Sequence, residues 1–166
     1  MPINVAILTI SDAASRGERE DLSGANIERM TKDAGCVILE RAVVPDERVL
    51  IARCLTEWAD SGAIDLIVTT GGTGLAPRDV TPEATRDVIE REAQGLAEWM
   101  RMESVKLNRH AVLSRAVVGI RGKTLIVNLP GSPKGVVEML ELFLPLLPHT
   151  IDIVKGFPGD HTPPAG

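Results

Sequence analysis

Residues 64–74 read Ile64-Asp65-Leu66-Ile67-Val68-Thr69-Thr70-Gly71-Gly72-Thr73-Gly74. The first seven form a short run, rich in β-branched residues and without polar alternation, as expected of a strand buried on both faces. The run ends in a turn of three glycines and a threonine. Glycine tolerates positive φ, so successive backbone amides can form a concave nest that approaches an anion closely. The turn has neither the Lys-Ser/Thr ending of a Walker A loop nor the GxGxxG spacing of a dinucleotide-binding turn. Taken alone, it suits a phosphate cradle and a plain tight loop equally well.

The flanking sequence repeats the pattern. Upstream, Ile3–Ile10 is a second apolar run of strand length. A polar stretch, Ser11 to Leu22, follows it and is long for a loop in a compact domain. Ser23 is placed to cap a helix through Ala34, with Ile27, Met30 and Ala34 on one face and Gly35 as its stop. Val37–Val44 is a third strand. Pro45 and Asp46 then open a helix, with Asp46 near its N-cap and Ile51, Cys54, Leu55 and Trp58 at helical spacing.

Downstream, Thr81-Pro82 reads as a cap followed by a first-turn proline. Helical sequence continues from there to about Asn108, with an interruption near Gly95. Ala116–Ile120 and Thr124–Leu129 are two strands joined by Arg121-Gly122-Lys123, a hairpin with glycine at the positive-φ position. Ser132-Pro133 is another cap-and-proline start. Pro145 and Pro148 should divide the apolar helix that follows. From Gly156 the periodicity stops, so residues 1–155 read as one domain and 156–166 as a poorly ordered tail. Strands alternating with helices predict an α/β fold: a three-layer α/β/α sandwich around a mostly parallel central sheet, with one antiparallel hairpin strand.

Composition narrows the function. The chain has 166 residues and a formal charge of −5, with 2% aromatic residues and no Tyr. It lacks both the basic patch of a nucleic-acid binder and the stacking rings of a single-strand binder, so no nucleic-acid partner is expected. No apolar run is long enough to span a bilayer, so no membrane partner is expected. The N-terminus reads as a strand and not as a signal peptide. Cys36 and Cys54 form no CxxC pair, and His110, His149 and His161 are scattered, so neither zinc nor a histidine metal site is expected. Two small buried cysteines suit a reducing, cytoplasmic setting.

In an open α/β sheet, ligands bind beyond the carboxyl ends of the strands. Four such ends carry the unusual residues here: Ser11-Asp12, Pro45-Asp46, Gly71-Gly72-Thr73-Gly74 and Asn128-Leu129-Pro130-Gly131-Ser132. Asp12, Asp46 and Asp79 each lie just after a strand or one loop beyond it. Carboxylates beside a phosphate cradle repel the ligand unless a cation sits between them, and Mg²⁺ held by one or two carboxylates plus phosphates would resolve that conflict. Simpler roles remain open: an N-cap for Asp46, a turn residue for Asp79, a helix cap for Ser132. Arg78 and Lys134 are candidate phosphate partners, and Lys123 is more easily read as a solvated turn residue. Trp58 and Trp99, at helical spacings among apolar neighbours, read as core or interface residues.

At this point a resemblance enters. Thr69 to Gly74, followed by Pro77-Arg78-Asp79-Val80-Thr81-Pro82-Glu83-Ala84-Thr85, is similar to the signature of the molybdopterin-binding family, which includes the G domains of gephyrin and of the plant Cnx protein. The likeness runs from Val5 to about Val154. It takes in Ser11-Asp12, Asp21-Leu22-Ser23-Gly24, Val44-Pro45-Asp46-Glu47, Gly119 to Ile126 and Asn128 to Gly135. Ala13 to Glu20 departs from any shared pattern and is expected only to edge the cleft.

The resemblance implies an α/β sandwich, commonly assembled as a homotrimer. It implies that molybdopterin and ATP are condensed with Mg²⁺, releasing pyrophosphate and adenylylated molybdopterin in molybdenum cofactor biosynthesis. Asp46 and Asp79 match the family's catalytic carboxylates and would hold the magnesium. Gly71, Gly72, Thr73 and Gly74 match its phosphate- and pterin-binding loop. Pro130, Gly131 and Ser132 match the stretch lining the cleft, with Ser11 and Asp12 at its edge. A molybdenum-inserting enzyme is a possible partner. Three other readings stay open: a pterin-binding paralogue with little transferase activity, a scaffold module, and a competence-damage-type nucleotide hydrolase of the same fold.

Overall fold

The computed structural model describes residues 1–157. Six strands, β1 (Asn4–Ile10), β2 (Val37–Val44), β3 (Leu66–Thr70), β4 (Arg91–Glu92), β5 (Val118–Arg121) and β6 (Thr124–Leu129), form one sheet. Their order is β2-β1-β3-β6-β5-β4. The first four strands in that order run parallel, and β5 lies antiparallel to both β6 and β4. Seven α-helices accompany them: α1 (Asp12–Ser15), α2 (Leu22–Asp33), α3 (Arg48–Asp60), α4 (Thr81–Val88), α5 (Gln94–Val105), α6 (Pro133–Phe143) and α7 (Leu147–Lys155).

The unbroken apolar runs are explained by the layers. Successive strand residues face opposite ways. Val5 and Ile7 of β1, Val68 of β3 and Val127 of β6 pack with Ile27, Met100, Leu140, Phe143 and Ile151 from α2, α5, α6 and α7. Leu8, Ile67 and Ile126 point to the other face, against Ile51 and Leu55 of α3 and Ala84 and Val88 of α4. Burying each large aliphatic side chain contributes about 1.5–3 kcal/mol, so both faces must be covered. The expected three-layer sandwich is the one observed. The hairpin is present too, with Gly122 at φ +57° between β5 and β6.

Several local expectations are corrected. The Ser11–Leu22 stretch contains a short helix, α1, which Ser11 caps by accepting from the Ala14 amide. Asp21, not Ser23, caps α2, accepting from the Gly24 amide. Glu47 occupies the N-cap position of α3 without a side-chain bond, which leaves the Asp46 carboxylate for other partners. Val80 precedes α4, so Thr81 is its first residue and not its cap.

The helical stretch from Thr81 toward Asn108 is interrupted near Gly95 as expected: Gly95 itself lies in the first turn of α5, and the break is Ile89–Ala93. There the chain turns extended, and the Glu90 and Ala93 amides donate to Ile120 and Val118 of β5. This adds the two-residue strand β4, too short to carry a period. A 3₁₀ turn, Arg109–Leu113, follows α5. Pro145 and Pro148 do divide the last helix: a 3₁₀ turn at Leu144–Leu146 separates α6 from α7. Gly156, at φ +77°, closes α7. The rest of the expected tail, 158–166, lies outside the described residues.

Candidate active site

Four strand ends meet at one rim of the sheet. The chain leaves β1 at Ser11, β2 ahead of Asp46, β3 at Gly71 and β6 at Pro130. The connections diverge between β1 and β3, with β2 on one side and β6 on the other. Open parallel sheets bind ligands at such a reversal.

The glycines are required by how closely these ends approach. Gly71 has φ +100° and Gly72 φ +68°. A β-carbon on Gly71 would overlap the Ile10 carbonyl oxygen, and one on Gly131 would sit 3.4 Å from the Gly71 Cα. Hydroxyls fix the turns. Thr81 Oγ1 donates to the Gly71 carbonyl at 2.8 Å, and the Thr81 amide donates to the Gly72 carbonyl at 3.1 Å, closing the loop between them. Thr70 Oγ1 holds the Pro130 carbonyl and Ser23 Oγ the Gly131 carbonyl, each at 2.7 Å. Ser132 caps α6, accepting from the Gly135 amide at 3.1 Å.

Arg115, which had no sequence signal, locks the same loop from behind. Its Nε donates to the Gly74 carbonyl at 2.8 Å, one terminal nitrogen donates to the Asp79 carbonyl at 2.6 Å, and the other donates to Glu83 at 2.7 Å. Its own amide donates to the Thr73 carbonyl at 2.8 Å. One planar guanidinium thereby spans both ends of the Gly74–Asp79 segment, as a fork of donors can.

The three candidate carboxylates occupy this rim in different states. Asp12 is paired with Arg78 through two bonds of 2.6 and 2.9 Å. That pair, aided by the Asp46 amide, holds the Asp12 carboxyl down at about 2. Asp46 is pushed the other way, by burial and then by the charges of Asp12 and Asp79. One Asp46 oxygen accepts the Asp12 amide at 2.9 Å, and the other bonds no donor among the described residues. Asp79 likewise uses one oxygen, accepting the Ala76 amide at 3.0 Å. A β-carbon on Gly72 would lie 3.2 Å from Asp46, and one on Gly74 2.8 Å from Asp79, so both carboxylates border the glycine turn.

Two cavities flank this turn. The larger, about 680 Å³, is lined by Ser11, Asp46, Gly71 and Asp79, with Asp21 and Ser23 across from them. The smaller, about 390 Å³, lies between the turn, α5 and α6. Gly72, Asp79, Gly131 and Ser132 line both. All the candidate site residues therefore border one or both cavities or, as with Asp12, lock a residue that does. Arg78 is committed to Asp12, and Lys134 is exposed and lies 3.8 Å from Glu138. Lys123 sits on the hairpin before β6, at the opposite end of that strand from Pro130. Trp58 packs against the α3-side core, whereas Trp99 is an exposed apolar residue and no part of the core. Cys36 and Cys54 are free, and burial pushes the Cys54 thiol up to about 11.

Among the described residues, no group of three His, Cys, Asp or Glu side chains forms a self-sufficient metal cage, and no helix is long and apolar enough to cross a membrane. A site with two half-engaged carboxylates beside an amide nest is suited to an anionic ligand accompanied by a cation.

Known proteins resemble this chain in sequence and fold. The chain is 46% identical over 156 residues to the molybdopterin adenylyltransferase of Helicobacter pylori, covering 93% of this chain and 89% of that one. It is 42% identical over 141 residues to the Escherichia coli protein of the same name, covering 84% and 72%. The solved structure of the molybdopterin biosynthesis enzyme MoaB from Thermus thermophilus superposes with a TM-score of 0.88 at 49% identity, covering 95% and 99%. The family described as "Probable molybdopterin binding domain" matches residues 6–149, from the first strand through the start of the last helix. With its glycine turns and carboxylates set in that fold, this chain belongs to the molybdopterin-binding domain family.

Proposed function

We propose that this protein transfers the AMP group of ATP to the terminal phosphate of molybdopterin, giving adenylylated molybdopterin and pyrophosphate. The observation that carries the reading is the pair of cavities sharing one wall of glycine turns, with Asp79 common to both. A reaction between two phosphate-bearing substrates needs two adjoining pockets meeting at one phosphate cradle. The names of the 46% and 42% identical relatives support the same chemistry.

In this reading a phosphate oxygen of molybdopterin attacks the α-phosphorus of ATP. The new oxygen–phosphorus bond forms as the bond to the β-phosphate oxygen breaks, and pyrophosphate carries the electron pair away. No covalent enzyme intermediate is needed. The protein's work is to align the two phosphates and stabilise the equatorial charge. The amides of Gly71 to Gly74 bind phosphate oxygens, and Ser11, Pro130, Gly131 and Ser132 line the cleft. Asp12 acts indirectly by fixing Asp46 and Arg78.

The carboxylates fit magnesium. Among the described residues, Asp46 and Asp79 each keep one oxygen free of donors, and like charges press on Asp46, which a cation would relieve. Mg²⁺ bound there through these two carboxylates and substrate phosphates would supply charge neutralisation. Cytoplasmic location, assembly as a homotrimer and delivery of product to a molybdenum-inserting enzyme belong to the same proposal. Exposed Met102, Leu107 and Val112 offer apolar surface that another copy could cover. Sedimentation showing only monomer at micromolar concentration would remove the trimer.

The test is pyrophosphate release from Mg·ATP with and without molybdopterin. Release only with the pterin, accompanied by the adenylylated mass, is the expected result. Pterin binding without turnover would overturn the transferase and leave a binding paralogue or scaffold.

A further inference from the structure

Arg19 lies in the segment that departs from the shared pattern, and the chemistry described above leaves it unused. The backbone around it is fixed. Gly17, at φ +72°, turns the chain out of α1. The Glu18 amide then donates to the Ala13 carbonyl at 3.0 Å, and the Leu22 amide to the Glu20 carbonyl at 3.1 Å. Asp21 starts α2 by accepting from the Gly24 amide. The Arg19 main chain is thus held between two helices, while its side chain is exposed and lines the larger cavity. Among the described residues that side chain forms no ion pair, because Glu18 is taken by Arg16 at 3.0 Å and Asp21 by Thr9 at 2.7 Å and Arg41 at 3.3 Å.

The charges around the cavity give this guanidinium a task. Of the described residues that line it, Glu20, Asp21, Asp46 and Asp79 are acidic and Arg19 alone is basic. Arg41 offsets Asp21. A magnesium ion would offset Asp46 and Asp79 at the glycine turn. Glu20 still adds to the repulsion, so a phosphate chain entering this cavity needs a further cation, and Arg19 is the one in place.

We infer that Arg19 binds the leaving pyrophosphate and takes up the charge that develops on it. This rests on the proposed transferase reading and adds a residue to it from a part of the chain with no family pattern. As the bond from the α-phosphorus to the bridging oxygen breaks, its electron pair stays with that oxygen, so pyrophosphate gains negative charge as it separates. A group aimed at developing charge stabilises the transition state more than the ground state. A guanidinium is always charged and donates two parallel bonds to phosphate oxygens. Being unpaired, Arg19 reaches them without first breaking a protein contact.

The test uses the full chain, with magnesium pyrophosphate as the probe, followed by calorimetry. Arg19→Gln removes the charge and Arg19→Lys keeps it without the fork. Arg16→Gln is the control: it removes the same charge from the same loop, but Arg16 is paired with Glu18 and is not among the residues lining the cavity. Thermal melting establishes that each variant is folded. The expected result is pyrophosphate binding weakened about tenfold or more by Arg19→Gln, a loss typical of a charge-assisted pair, and restored only in part by lysine. Arg16→Gln should change it less than about twofold, as for a screened surface charge. In turnover, Arg19→Gln should lower kcat about tenfold, weaken product inhibition by pyrophosphate in step, and leave KM for molybdopterin unchanged. Equal losses in the Arg16 and Arg19 variants would reduce the effect to the general field of the loop and overturn the inference. So would pyrophosphate binding that Arg19→Gln does not alter, or no binding by the parent chain. If binding depends on Arg19 but the parent chain releases no pyrophosphate from ATP and molybdopterin, the anion contact stands and the transferase reading is what fails.

Discussion

Asp12 and Asp46 clasp each other through their backbones: the amide of each donates to the carboxylate of the other, at 2.9 and 3.0 Å. The clasp joins the exits of β1 and β2 and fixes the carboxylate closest to the Gly71-Gly72 turn. It also concentrates negative charge there, and the first prediction follows from that charge.

Asp46 sits above the ordinary aspartate value of 3.8 because burial and its acidic neighbours oppose its ionisation. A raised carboxyl disfavours the folded state wherever it is charged. That penalty is complete at neutral pH and disappears as the pH falls through the raised value to below 3.8. Asp46→Asn should therefore melt higher than the parent protein at pH 7 without ligands, and the gain should fade toward pH 3. Adenylyl transfer should fall about 100-fold or more, the scale for losing a charge-stabilising group. Mg²⁺ with a non-hydrolysable ATP analogue should raise the melting temperature of the parent but barely move the variant. Full activity in the variant would show that Asp46 is not at the reacting phosphates.

Arg78 governs the partner carboxylate with the opposite sign. By holding Asp12 down at about 2, it contributes stability that is present above 3.8 and lost as the pH falls through 2. Arg78→Gln should return the Asp12 titration, followed by carboxyl NMR shifts, toward its ordinary value. It should also loosen the clasp, seen as faster hydrogen exchange at the Asp46 amide. An unmoved Asp12 titration would mean that the clasp, and not the arginine, sets its affinity for protons.

Arg115 predicts a failed conservative swap. Its guanidinium reaches Gly74, Asp79 and Glu83 at once, and a lysine has no such fork. Arg115→Ala should cost about 2 kcal/mol of stability, from loss of charge-assisted hydrogen bonds. Arg115→Lys should restore the charge but little of the activity. Urea denaturation and kcat measured on both variants separate the two effects. Recovery of kcat by lysine would reduce Arg115 to a point charge.

Two glycines should respond in opposite directions to the same change. Gly71→Ala places a methyl group into the Ile10 carbonyl at φ +100°, and should cost about 3 kcal/mol or abolish folding. Gly95, near the start of α5, has nothing within 4 Å of an added β-carbon. Gly95→Ala should stabilise by about 0.5 kcal/mol through the unfolded chain. Chemical denaturation of the pair tests both, and equal effects would contradict the close approach at Gly71.

What could be read from the sequence is what depends on near neighbours. The apolar runs, the Gly122 hairpin, the Ser132-Pro133 helix start and the proline break after α6 all follow from a few adjacent residues. Local pattern alone offers a helix cap for Ser23 and Thr81, and leaves one open for Asp46, because a cap is the nearest use for such side chains. Their actual partners are distant: the Asp12 amide is 34 residues from Asp46, and the Gly131 carbonyl 108 from Ser23. Arg115 shows the limit most sharply, since nothing beside it in the chain announces the loop it holds 32 to 41 residues away. The strand β4 was hidden for a different reason, because two residues cannot display a period of two.

The β3–β6 pairing has a consequence for how the protein is made. Leu66 aligns with Leu125, and Asn128 bonds Thr69 across a separation of 59 residues. The two glycine turns that form the phosphate cradle therefore belong to parts of the chain that leave the ribosome several seconds apart at ordinary synthesis rates of about 5–20 residues per second. Until β6 arrives, β3 has an open edge and the Gly71 turn lacks its wall. A nascent chain halted before β6 cannot hold substrate, and its apolar β3 edge is the point at which a chaperone has most to protect.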